Sequence, residues 1–241
     1  MLSEVREVDL RPTVQRLYRY VASASALDRG ETTLPTIQEQ FGQAAINAFV
    51  DFCRADIRPV ADLEANEFSH VADPALRRYL AQTFYGARWL YKLGLGVLVQ
   101  GDESIAHVRT QVIDYGSICE ALLSDCVLHG IQRNSMTGNK YLTKDCRPVS
   151  GRNAIGWVAA TAPAEMKNRS FWWLIEVAGE EAILTPPQKG AVTKLRKLRN
   201  TVHITELATT QATYYRTLAK SALKTVHDVT AATRAYKLAH P

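Results

Sequence analysis

Long apolar runs are missing from this chain of 241 residues. The longest, Trp89 to Gln100, is interrupted by Lys92 and falls short of the roughly 20 residues needed to cross a bilayer. The N-terminus, MLSEVREVDLRPT, mixes charges of both signs and lacks the apolar centre of a signal peptide, so a cytoplasmic protein without a membrane partner is expected. Cysteine is scarce. Cys53, Cys119, Cys126 and Cys146 lie in or beside helical patterns without C-x-x-C spacing, which speaks against a secreted disulfide framework and for reduced, buried thiols. Repeats and low-complexity tracts are lacking too. With 46% hydrophobic and 22% charged residues the composition is not that of a disordered chain, and its length suffices for a core without staples.

Acidic residues run short in one region. Between Pro186 and Pro241 ten Lys and Arg face only Glu206 and Asp228, so that segment carries +8 and leaves −3 for the rest of a chain whose net charge is +5. Such a segment suits a polyanion, because phosphate neutralisation dominates nucleic-acid affinity; a solvated helix surface is the plainer reading.

What the sequence does have is helical periodicity. Residues Val14 to Leu27 read as a helix, and Ile37 to Phe41 and Gln43 to Ile57 as two more, joined by Gly42 and ended by Arg58-Pro59. Residues 1–73 thus form a small helical region with a winged-helix-like order. Its recognition-helix candidate, QAAINAFVDFCRAD, presents little positive charge, which makes a DNA-binding regulator the least favoured function. After Asp73-Pro74 the helices lengthen, to Ala75–Val99 and Ser104–Ile131, and a polar insertion follows at about 132–169 with Arg133, Lys140, Lys144 and Arg147. Ser170 to Ala178 is a short apolar helix. Thr185-Pro186-Pro187 opens another to about His203, and Thr209 to about Leu238 forms the last. The expected fold is all-α, with a helical bundle over residues 74–241.

The segment KLRKLRNTVHITEL, Lys194 to Leu207, is the most informative. At about 100° per residue, Val192, Leu195, Leu198 and Val202 form one apolar arc. Arg199 falls inside it, His203 and Arg196 at its edge, and Lys197 and Thr201 on the far side. A guanidinium in an apolar arc needs a partner or a ligand. Glu120 is the internal candidate: in DYGSICEALL its helical neighbours are Gly116, Leu123 and Val127, so its carboxylate also points to an apolar face. A buried Glu120–Arg199 pair would satisfy both groups, and removal of Arg199 would then cost roughly 3 kcal/mol.

Arg196, Arg199, Asn200 and His203, late in an all-helical domain, resemble the Arg-then-His signature of HEPN proteins, helical bundles that bind and often cut RNA. The family pattern is an Arg followed after four to six residues by a His, often with a polar residue directly after the Arg. Arg196 to His203 encloses six residues and meets that count; Arg199 to His203 encloses three, yet it is Arg199 that Asn200 follows. Either arginine can carry the role. DYGSICEALL and SFWWLIEVA are similar to the family's preceding elements, so the resemblance spans about Pro74 to Leu238. It implies an HEPN-like bundle, a homodimer whose site forms between facing helices, RNA as partner, no metal and no cofactor. By analogy with bacterial members it implies a toxin or defence effector with a cognate antitoxin or other regulatory partner. Members that bind RNA, a nucleotide or a protein without cutting supply the alternative.

The chemistry stands without the family. Attack by the RNA 2′-OH needs an acid or base that titrates near neutrality, which His203 offers, and a cation against the charge building on phosphate, which Arg196 or Arg199 offers. Lys194, Lys197, Arg216, Lys220 and Lys224 are the candidate RNA contacts. Cys126 and His129 have metal-ligand spacing without a second pair and are expected in the core. His227 is a candidate phosphate contact; Trp157, Tyr214 and Tyr215 are candidate stacking residues.

Overall fold

Proline, glycine and capping residues punctuate the chain, and the computed structural model turns this punctuation into helices over the residues it describes: 37–133, 135–136, 162–166, 169–201 and 216–241. The fold is all-α, with no strand among the described residues. Helix α1, Ile37–Arg54, passes through Gly42, whose φ of 75° breaks the helical geometry; glycine adopts that conformation without a Cβ penalty. The two helices expected on either side of Gly42 are thus both present, joined at a kink. A single turn, Val60–Asp62, runs on into a π-helical turn, Leu63–Glu67. Helix α2, Pro74–Gly96, begins at Asp73, whose carboxylate accepts the Ala75 N–H at 2.8 Å, with proline in the first helical position where its missing N–H does no harm.

Helix α3, Gly101–Gln132, follows, then a short helix Ala162–Met166, then α4, Phe171–Glu180, capped by the Ser170 hydroxyl. Helix α5 spans Pro186–Asn200 and α6 spans Arg216–Ala239. The expected helix Val14 to Leu27, most of the polar insertion with Trp157, the segment Val202 to Tyr215 and Cys146 lie outside the described residues. Among the described residues no helix is long and apolar enough to cross a membrane.

The long helix α3 is the hub, packed against α2, α4, α5 and α6. It buries Val108, Val112, Tyr115, Ile118, Cys119, Leu122, Leu123, Cys126 and Val127, which together occupy about half of its circumference at about 100° per residue. An arc that broad suits a helix covered by several neighbours. Trp173 of α4, Val192 and Leu195 of α5, and Val226 and Val229 of α6 close over it. Leu63, Phe68 and Val71 belong to the same core, with the Phe84 ring 6.1 Å from that of Phe68 and 6.3 Å from that of Tyr115. The core thus runs across residue 73.

Candidate functional site

Helix α5 is set from its start. The Thr185 N–H donates to Gln188 Oε1 at 2.9 Å, a capping interaction that precedes two prolines. Burial of Val192 and Leu195 then fixes the helix's rotation and turns Arg199 toward α3. There Gly116 leaves a slot: a Cβ on it would lie 2.9 Å from Arg199 Cβ and 3.0 Å from Cγ, closer than side chains tolerate. The Arg199 stem fills that slot, and its Nη2 donates to Glu120 Oε2 at 2.8 Å. Farther along α3, Arg109 Nη2 donates to the carbonyl of Thr201 at 2.6 Å, the residue that closes α5.

The Glu120–Arg199 pair is less buried than the sequence pattern suggests. A third of the Arg199 side chain and 27% of that of Glu120 remain exposed. Burial pushes the Glu120 carboxyl above its ordinary value, and the Arg199 charge opposes that without cancelling it. The pair therefore contributes less stability than its geometry implies, since desolvation outweighs attraction. What it does provide is a guanidinium held toward Glu120 on a side chain that stays a third exposed. Arg196 and Asn200, spaced as neighbours on the same face of α5, are both partly exposed, and the Nε of Arg196 is buried without a hydrogen-bond partner. His203 lies outside the described residues.

Comparison with protein-family models, curated proteins and solved structures returns no match.

The +8 segment is largely spoken for inside the fold. Lys189 pairs with Glu176 at 2.7 Å, Arg199 with Glu120, and Lys224 with Asp228 at 2.7 Å. Arg216 donates to the Val99 carbonyl, Arg234 to those of Asn66 and Glu67, and Lys237 binds Asp125 and the His70 carbonyl. Lys194, Lys197 and Lys220 are exposed and make no ion pair among the described residues. Of the five candidate RNA contacts, Lys224 pairs with a carboxylate and Arg216 donates to a backbone carbonyl, while the other three make no ion pair among the described residues. On α6, Arg216, Lys220 and Lys224 recur every four residues and so share one side.

A second charged cluster escaped the sequence reading. Lys237, 8% exposed, sits between α6 and α3 and binds Asp125. His70 Nε2 meets Thr233 Oγ1 at 3.0 Å; burial, then the charges of Arg234 and Lys237, lower its pKa to about 4. Glu67 takes hydrogen bonds from His227 at 3.1 Å and from Arg58, and the His227 bond, ahead of the others, lowers it to about 2. His227, proposed from sequence as a phosphate contact, is occupied by Glu67 and stands edge-on to Phe84. The available signal was the spacing of Thr230, Thr233, Arg234 and Lys237 along one side of α6, which a charge count ignores.

Cys126 is buried, with its thiol pushed up to about 12 by burial, while His129 bonds the His240 carbonyl at 2.7 Å. Among the described residues no three metal-ligating side chains come together. A narrow cleft of about 260 Å³, counted to its open mouth, lies between α2, α3 and the start of α6. Its lining includes His107 and Gln111, whose Nδ1 and Oε1 are buried without partners, so it suits an ordered water.

Proposed function

We propose that the chain is a metal-independent endoribonuclease of HEPN type, acting at the last turn of α5 in a cytoplasmic homodimer. The observation that carries the reading is Arg199: seated on Gly116, oriented by Glu120, a third exposed, and one turn from Arg196 in the helix that leads toward His203. In the proposed reaction His203 removes the proton of a ribose 2′-OH. The oxygen attacks the adjacent phosphorus, the bond to the 5′ oxygen breaks, and that oxygen takes up a proton. The products are a 2′,3′-cyclic phosphate and a 5′-hydroxyl. Arg199 or Arg196 faces the charge growing on the phosphoryl oxygens, and Asn200 offers an amide beside them. Lys194, Lys197 and Lys220 track the RNA backbone, with Arg216 and Lys224 as weaker contributors. Pairing of two α5 helices across a two-fold axis doubles this small set of groups.

The test is cleavage of mixed RNA by purified protein in excess EDTA. The wild type is expected to cut and leave cyclic phosphate ends, and His203→Ala to lose roughly a hundredfold in rate with unchanged RNA affinity. A second reading is favoured by the engagement of Arg199 with Glu120: a HEPN module that binds RNA, a nucleotide or a protein partner without cutting. Intact RNA that nevertheless shifts in a gel selects it.

A further inference from the structure

We infer that Arg109 is a positioning residue for the proposed ribonuclease site, an inference that rests on the nuclease reading above. Arg109, Gly116 and Glu120 follow one another along a single stripe of α3, because steps of seven and four residues return to nearly the same side of a helix. Each meets the end of α5 at a different height. Glu120 holds the Arg199 guanidinium at 2.8 Å, Gly116 receives the Arg199 stem, and the Arg109 guanidinium donates to the Thr201 carbonyl at 2.6 Å. Burial of Val192 and Leu195 sets the rotation of α5 and the first two contacts act on one side chain, whereas the third acts on the backbone at the helix end and pins its last turn.

The bond is well placed for the task. Thr201 is 1% exposed, so water cannot readily replace Arg109 at its carbonyl, and a cation at a helix C-terminus meets the negative end of the helix dipole. A roll of the last turn would carry Arg196, Arg199 and Asn200 together, and the chain leaves α5 at Thr201, two residues before His203 in sequence. RNA affinity, by contrast, rests on exposed lysines that Arg109 does not serve. The role predicted for Arg109 is therefore a loss of rate without a loss of binding.

The experiment compares wild type, Arg109→Ala and Arg109→Lys in single-turnover RNA cleavage in EDTA, RNA affinity by anisotropy, and thermal melting. Arg109→Ala is expected to cleave roughly 10- to 100-fold more slowly with affinity within about twofold, the size of effect an ångström of misplacement produces. Arg109→Lys should fall between, since an ammonium reaches the carbonyl but lacks the planar fork. If the alanine variant does not melt cooperatively, the lysine variant decides. Wild-type rates in the deciding variant, or a rate loss matched by an equal affinity loss, overturn the inference. Wild-type protein that leaves RNA intact overturns the nuclease reading and this inference with it, whereas active wild type beside unimpaired Arg109 variants overturns this inference alone.

Discussion

Helix α3 meets charge on two sides, and the two meetings are built differently. Toward α6, Lys237 and Asp125 keep only 8% and 13% of their side chains exposed, and Lys237 also binds the His70 carbonyl. Toward α5, Arg199 and Glu120 stay 33% and 27% exposed. A closed ion pair has no capacity left for a ligand and serves the fold. An open one, its guanidinium aimed but incompletely covered, can turn an edge to an anion. The difference separates architecture from candidate chemistry within one helix.

The comparison can be broken most readily at its closed side. Lys237→Met strands Asp125 beside α6 and should lower stability by about 3 kcal/mol in urea unfolding, with Lys237→Met/Asp125→Leu recovering much of the loss. Equal losses in single and double variants would show that the pair contributes through packing alone.

The second test is steric. Gly116→Ala drives a Cβ into the Arg199 stem and should cost about 1–3 kcal/mol in thermal or urea unfolding. Arg199→Ala will not relieve it, because the Arg199 Cβ itself is 2.9 Å away, whereas Arg199→Gly should.

At the open side, Arg199→Ala should destabilise by about 1 kcal/mol and not the 3 expected of a buried pair, since water reaches the Glu120 carboxylate. A loss as large as that for Lys237 would erase the distinction between the two pairs.

Acid sharpens the same contrast. His70 has a folded pKa of about 4 against an ordinary 6.5, so the unfolded chain takes its proton first; the stability it contributes is complete above 6.5 and is lost as pH falls toward 4. Glu67, at about 2 against 4.5, contributes stability that is complete above 4.5 and is lost as pH falls toward 2. Unfolding free energy measured between pH 7 and 4 should fall at up to about 1.4 kcal/mol per unit, and His70→Asn should flatten that slope. The smallest effect belongs to Lys224→Ala, whose exposed pair with Asp228 should be worth under about 0.5 kcal/mol in thermal unfolding.

Much of the helical order was legible because proline, glycine and caps act locally: Asp73-Pro74, Ser170 and Thr185-Pro186 each open a helix where expected. Glu120 and Arg199 could be matched because each interrupts an apolar arc, and a charge out of pattern asks for another. Arg109 gave no such hint. Its partner is a backbone carbonyl, which has no letter in the sequence. Lys237 was hidden for another reason: its burial depends on the register of α6 against α3, set by packing over more than a hundred residues of separation. The +8 sum could not apportion the segment, because a total cannot tell a paired charge from a bare one.

The pairing of α3 with α6 also bears on synthesis. Chains emerge from the ribosome N-terminus first, so α2, α3, α4 and α5 are all outside before Arg216–Ala239 appears. Until then the strip that α6 covers, with Cys126 and Val127 beside Asp125, has no lid. A nascent chain paused before Arg216 would present that strip to chaperones or to its neighbours on the same message, and a stop codon there should yield an aggregation-prone product in place of a shortened protein.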